Sequence, residues 1–251
     1  MRGDTSLACS AIIGRPPDAT DPRNAELDVD GRQPLISLAG AAGYARSMHP
    51  LGSTEAAVYL RAPIEADRDA FVALRRTSAE SLAPWEPRMS DAEEQFGDQS
   101  FDRLLGRRES ESDQPFLVHR VSDGEIVGYV GLAQIFRGPF RSCIMGYWIG
   151  DPYLGRGYGT TGVRACLHTA FGHESEGGLG LHRVEANIIP TNEASRAVVR
   201  RIGMLKEGYS PRYLEIDGEW RDHERWAITV EDWKAAEVRR SPDAAGSAMT
   251  T

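Results

Sequence analysis

Residues Asp151–Gly162 read DPYLGRGYGTTG. Gly155, Gly157, Gly159 and Gly162, with Arg156 among them, stand between the aromatic-rich MGYWIG (Met145–Gly150) and the helix-like TTGVRACLHTAF (Thr160–Phe171). Gly157-x-Gly159-x-x-Gly162 matches the dinucleotide fingerprint GxGxxG, and Glu185 follows about twenty residues on. A dinucleotide fold opens with that motif and continues through several strand–helix units. Here three antiparallel-looking strands precede it, one strand–helix pair and a hairpin follow, and Glu185 falls inside its strand, so the dinucleotide reading is set aside. The physics of the glycines survives. Successive backbone N–H groups at a helix N-terminus form an anion site that the helix dipole reinforces. Glycines let the backbone approach a pyrophosphate without a Cβ clash. The bland alternative is a glycine-rich turn that only caps a helix.

The rest of the chain bounds the reading. Its 251 residues suit one domain of ordinary size, or one domain with a tail. Apolar residues make up 41% and charged residues 26%, as in soluble globular proteins. A net charge of −8 argues against the whole chain being a nucleic-acid-binding surface. Cys9, Cys143 and Cys166 form no CxxC pair, which argues for a reducing, cytoplasmic setting and against a zinc site or disulfide frame. No apolar run approaches the roughly 20 residues of a membrane span. The short LACSAIIG run (Leu7–Gly14) makes a poor secretory signal.

Residues 1–55 hold PPDATDPRNAE and GAAG without sustained periodicity. They read as a disordered or loosely packed extension, or as the product of a misassigned start codon. Residues 56–234 form the domain, and residues 235–251 read as a flexible tail. Within the domain the patterns predict a strand over Val58–Pro63 and a helix over Ala66–Ala79. A second helix is expected over Ser90–Arg108, capped by Ser90 with Glu93. Strands follow at Pro115–Val121, Glu125–Phe136 and Arg141–Gly150, then a helix at Thr160–His173. Leu181–Pro190 is a strand with Val184, Ala186 and Ile188 on one face. Asn192–Gly203 is a helix, and a last hairpin turns at Asp217-Gly218. This order predicts an α+β domain with one mixed sheet.

At GRGYGT, following a strand and opening a helix, the sequence resembles the acyl-CoA pyrophosphate loop of the GNAT acetyltransferases. Leu154 departs from the polar residue usual there, which removes a side-chain contact but not the backbone cradle. HRVEANIIPTNEASRAVVRRIGMLKEG is similar to the family's next strand and helix, with Asn192 and Ser195 at its N-x-x-S. PWEP (Pro84–Pro87), RGPF with CIMGYWIG, and KEGYSPRYLEIDGEWRDH (Lys206–His223) resemble the RimJ-like branch, which acetylates N-terminal alanines of ribosomal proteins. The resemblance covers roughly residues 57–233. It implies a mostly antiparallel mixed sheet flanked by helices, with splayed central strands, and acetyl-CoA as cofactor. It also implies a peptide or ribosomal-protein N-terminus as acceptor, no direct nucleic-acid or membrane contact, and a monomer or homodimer.

The implied site can be named by residue. Cofactor contacts are expected from Trp148, Ile149, Leu154, Gly155, Arg156, Gly157, Tyr158, Gly159, Thr160, Asn192 and Ser195. A backbone N–H around Trp148–Gly150 would serve the oxyanion. Ser195 matches the position that meets the leaving thiolate; a Ser in the first turn of a helix is its plain alternative. Glu86 is the candidate base, or else a solvated loop acid. Trp85, Glu86, Tyr213, Trp220, Asp222 and His223 are expected on the acceptor side, although aromatics also dominate cores and a lone His is more often structural. Glu185 reads as a sheet-surface acid. Two rival functions stand beside this one: a GNAT enzyme acting on a small-molecule amine, and a non-catalytic acyl-CoA-binding module.

Overall fold

A computed structural model describes residues 56–240, and both the expected N-terminal extension and the last eleven residues lie outside them. Seven strands form one sheet in the order β1-β2-β3-β4-β5-β7-β6. They are β1 (Val58–Arg61), β2 (Gln114–Arg120), β3 (Ile126–Phe136), β4 (Ser142–Ile149), β5 (Arg183–Ile188), β6 (Leu205–Ile216) and β7 (Glu219–Thr229). Every pairing is antiparallel except β4 with β5. The mixed sheet thus agrees with the sequence-based expectation.

Helices cover both faces of the sheet. On one face lie α1 (Arg68–Thr77), α2 (Ala79–Leu82), α3 (Ala92–Phe96) and α4 (Asp98–Arg108). Phe71, Leu74, Phe101 and Leu104 pack there on Leu117, Tyr129 and Trp148. On the other face lie α5 (Tyr158–Phe171), α6 (Glu193–Ile202) and α7 (Val230–Arg240). Cys166, Leu167, Val199, Ile202 and Trp233 pack there on Val118, Val130, Met145, Val184, Ala186 and Ile188. The period-2 alternation of β5 therefore places Val184, Ala186 and Ile188 on the α5–α6 face and turns Glu185 and Asn187 to the other.

Three sequence-based boundaries change. The helix expected over Ser90–Arg108 is two helices broken at Gly97, which is extended at φ −96 and ψ −159. The Glu93 carboxylate folds over Gly97, where a Cβ would sit, and accepts the Asp98 N–H at 3.0 Å at the start of α4. The cap is Asp91, whose side chain accepts the Glu94 N–H at 2.7 Å, while the Ser90 N–H donates to Glu94 Oε2 at 3.1 Å. Residues 235–240, expected as flexible tail, are helical. Trp233 and Ala236 are buried, and Arg240 donates to the Ile202 carbonyl at 2.9 Å, so α7 packs as far as Arg240.

Candidate functional site

The parallel pairing of β4 and β5 is short. Its register runs through Ser142↔Arg183, Cys143↔Val184 and Ile144↔Glu185 and stops. Beyond it β4 stays with β3 as far as Gly128↔Ile149, and β5 stays with β7 as far as Ile188↔Glu224. The two strands splay, and a cleft opens between them. Its lining includes Met145, Gly146 and Tyr147 of β4, Asn187 and Ile188 of β5, and Trp85, Ile189, Asn192 and Ser195. Tyr147, Ile188 and Ser195 belong to the α5–α6 side of the sheet, and Asn187, Ile189 and Trp85 to the other. The cleft passes through the sheet.

The glycine turn lies at the end of β4. Gly155 (φ 73) and Gly157 (φ 87) are left-handed, a conformation costly for residues with a Cβ. Gly157 is the N-cap of α5, and the first helical bond closes from Thr161 N–H to the Gly157 carbonyl at 3.1 Å. Amides ahead of that bond have no helical carbonyl to meet. A Cβ on Gly159 would come within 3.5 Å of Ile149 and 3.6 Å of Val198, so its absence keeps open the slot between β4 and α6. The cradle fits a pyrophosphate on this geometry. Leu154 and Arg156 are exposed at its rim. Tyr158 turns its ring into the core against Tyr153, so its side chain is not a cofactor contact.

Trp148 also faces away from the cleft. Its ring packs on Phe71 at 5.7 Å beneath α1. The oxyanion donor expected from Trp148–Gly150 narrows as well. Gly150 N–H donates to Val127 at 3.0 Å. Antiparallel pairing sends alternate amides of a strand to the same neighbour, so the Trp148 amide also runs toward β3. Those of Met145, Tyr147 and Ile149 run toward β5 and the cleft.

Asn192 caps α6. Its Oδ1 accepts the Ser195 N–H at 3.0 Å, and Tyr147 Oη donates to the Ser195 carbonyl at 3.1 Å. Two bonds to the Ser195 backbone fix that residue at the cleft, while its hydroxyl has no hydrogen-bond partner among the described residues.

The base expected at Glu86 does not fit this geometry, and neither does the solvated loop acid. Glu86 is buried, and Arg75 donates to both its oxygens at 2.7 Å each. Arg75 also donates to the Gln95 carbonyl at 3.1 Å and lies between the Phe96 and Trp148 rings. A carboxylate gripped in this fork is committed as an ion-pair partner. Glu86 is instead a strut: its carbonyl accepts the Asp217 N–H at 3.0 Å, and Arg88 beside it pairs with Asp217 at 2.7 Å. The PWEP segment is thereby tied to the β6–β7 turn, and Trp85 is held against the cleft.

Asp222 and His223 do not form a pair, because neighbouring residues of a strand point to opposite faces. Between Ser210↔His223 and Leu214↔Arg221, three residues of β6 oppose one of β7. Asp222 holds that bulge: it accepts Tyr209 Oη at 2.6 Å and the Arg212 N–H at 2.7 Å. These bonds keep its carboxyl below the usual range. The bulge carries Tyr213 onto His223, ring to ring at 5.3 Å, beside Ile189. His223 is wholly buried, and burial pushes its pKa down. Its Nδ1 donates to the Arg221 carbonyl at 3.0 Å, which leaves Nε2 as a buried acceptor without a partner. Trp220 is 61% exposed and does not line the cleft. Glu185 pairs with Arg183 at 2.8 Å.

Sequence reasoning missed Arg75 and Asn187. Arg75 follows Phe71 by four positions on an otherwise apolar helical face. It was visible as a violation of pattern. Asn187 continues the polar face that Arg183 and Glu185 begin on β5, so the pattern did not mark it.

Comparison with known proteins agrees with this geometry. A family model described as an acetyltransferase (GNAT) domain matches residues 57–205. The [ribosomal protein uS5]-alanine N-acetyltransferase of Escherichia coli is 37% identical over 109 residues, 43% of this chain and 54% of that protein. The chain thus matches about half the length of this relative. Mycobacterium smegmatis RimJ in complex with CoA-disulfide superposes with a TM-score of 0.68 at 31% identity, over 78% of this chain and 96% of that one. The ribosomal-protein-S5-alanine acetyltransferase of Vibrio fischeri gives a TM-score of 0.60 at 29% identity, over 70% and 94%.

Proposed function

The chain belongs to the GNAT acetyltransferase family, and we propose that it transfers the acetyl group of acetyl-CoA to the N-terminal α-amine of a ribosomal protein, with alanine first. The observation that carries this reading is the cleft through the sheet. Ser195 lines it on the α5–α6 side, where the glycine turn opens α5, and Trp85 lines it on the other, which supports a cofactor on the first side and an acceptor on the second. The nature of the acceptor rests on similarity to the E. coli and V. fischeri alanine acetyltransferases.

GNAT enzymes use acetyl-CoA, which supplies an activated acetyl thioester. The amides at the start of α5 would hold its pyrophosphate, with Arg156 adding positive charge at the rim. The Ile149 amide, which runs toward the cleft, would stabilise the oxyanion. Asn192 and Tyr147 hold the Ser195 backbone, and its hydroxyl would serve the leaving sulfur. An α-amine titrates near 7.7–8.0, about two and a half units below lysine, so roughly a tenth or more is already free base at pH 7. Solvent water then suffices to take the proton, and Glu86 is not needed for it.

The test is an acetyl-transfer screen with short peptides beginning Ala, Ser or Met, beside spermidine and an aminoglycoside. Preference for the Ala-initial peptide supports the reading. Transfer to a small-molecule amine with no peptide product sinks it and leaves the fold and the cofactor standing.

A further inference from the structure

Asn187 is 3% exposed, lines the cleft, and has no side-chain hydrogen bond among the described residues. Its polar atoms are not among the sealed side-chain atoms that lack a partner, so they meet the cleft and not packed core. A carboxamide that presents acceptor and donors to a cleft, with no internal partner, is free to bond what enters it. Its two neighbours on that face of β5 are accounted for. Glu185 pairs with Arg183, and Ile189 packs with Leu214 and Ile216. Across the strand pair, Asn187 stands opposite Arg225, whose guanidinium lies over Gly208 and so points along β6 rather than at the cleft. The carboxamide is left facing the opening between the strands.

Its position gives it a partner. Ser195 and Asn187 reach one cleft from opposite faces of the sheet. A nucleophile and the group that assists the leaving sulfur need separate approaches to the acetyl carbon. With Ser195 on the α6 face, the attacking amine comes from the Asn187 face. We infer that Asn187 binds the attacking amine: its Oδ1 accepts one amine N–H, which turns the nitrogen lone pair toward the acetyl carbon. As the C–N bond forms, the nitrogen becomes positively charged and the bond to Oδ1 becomes charge-assisted, hence stronger than in the ground state. The C–S bond then breaks with its electron pair on sulfur, where the Ser195 hydroxyl donates. The extra amine proton leaves to solvent water, because a carboxamide accepts a hydrogen bond but does not take up the proton.

The inference rests on acetyl transfer to an amine and not on which amine. The experiment therefore uses whichever acceptor the wild-type enzyme acetylates best, peptide or polyamine, so failure of the ribosomal reading and failure of this one are separate results. Asn187→Ala is expected to lower kcat/KM for the acceptor about 10- to 100-fold, the scale of one hydrogen bond to a charging group. Most of the loss falls in kcat, while calorimetry shows acetyl-CoA affinity within about threefold of wild type, less than the roughly tenfold that one hydrogen bond is worth. Asn187→Asp keeps an acceptor oxygen at the same reach and holds activity well above the alanine variant; it also serves if the alanine variant fails to fold. Three results overturn the inference: full activity in Asn187→Ala, a parallel loss of acetyl-CoA affinity, or an Asp variant no better than Ala.

Discussion

Arg75 and Glu86 close a two-pronged ion pair, 2.7 Å on each arm, with neither side chain more than 3% exposed. It joins α1 to the loop that presents Trp85 to the cleft. Glu86 therefore supports the wall of the cleft and is not a free carboxylate inside it.

The first prediction follows directly. Removing one partner of a buried pair leaves the other charge uncompensated, which typically costs about 3–5 kcal/mol. Glu86→Gln is expected to lower stability on that scale in chemical denaturation. Its activity relative to wild type should track the folded fraction and stay constant as pH crosses the acceptor's own pKa. A variant of wild-type stability whose kcat, low beside wild type at pH 7, approaches it as pH rises would restore Glu86 as the base.

The second concerns the glycine turn. Gly159→Val fills the slot that its missing Cβ keeps open between Ile149 and Val198. Acetyl-CoA affinity should fall by at least about tenfold, equivalent to about 1.4 kcal/mol. Gly157→Ala carries an added cost, because left-handed backbone at φ 87 disfavours a Cβ by about 1–2 kcal/mol. Titration calorimetry beside thermal melts separates the two effects. Unchanged affinity in a folded Gly159→Val would remove the cradle from this loop.

The third concerns Ser195. Its backbone bonds to Asn192 and Tyr147 survive in Ser195→Ala, so the helix cap and fold should persist. Acid assistance to a leaving group typically contributes about 10²–10⁴ in rate, and the loss in kcat is expected at the lower end because a thiolate leaves readily. A stopped assay following free thiol measures it. Undiminished kcat would return Ser195 to a helix-turn residue.

The fourth concerns pH. Burial lowers the pKa of His223 and of His119 from the ordinary 6.5. As pH falls through that value the unfolded chain takes up protons first, so stability is full above about pH 6.5 and declines below it, down to the depressed folded values. Melts between neutral pH and about pH 5, still above ordinary carboxylate pKa values, should show a fall that His119→Phe combined with His223→Phe reduces. An equal slope in the variant would show that other groups carry it.

Most of the fold was legible because periodicity and punctuation agreed. The alternation in Arg183–Ile188, Gly203 closing α6 and Asp217-Gly218 turning the last hairpin all express local backbone physics. The break at Gly97 was hidden because the expected helix was drawn through a single glycine, although Glu93 accepts the Asp98 N–H and so starts a new helix there. The glycine cradle and the Asn192–Ser195 cap were readable for the same local reason. The acceptor side was not. Whether Glu86 faces solvent or Arg75, and whether Asp222 faces His223 or Tyr209, depends on pairing across the sheet, on a three-against-one bulge, and on contacts between residues eleven or more apart in the chain.

Acetyl transfer to a protein N-terminus, through a cleft that crosses the sheet, is tested most directly by intact-mass and fragment analysis of an Ala-initial ribosomal-protein peptide after incubation with the enzyme and acetyl-CoA. The expected product carries a single acetyl group on the α-amine and none on lysine side chains, and it is lost in Gly159→Val. Acetylation confined to lysine, or to spermidine in the parallel reaction with the peptide unchanged, would contradict it.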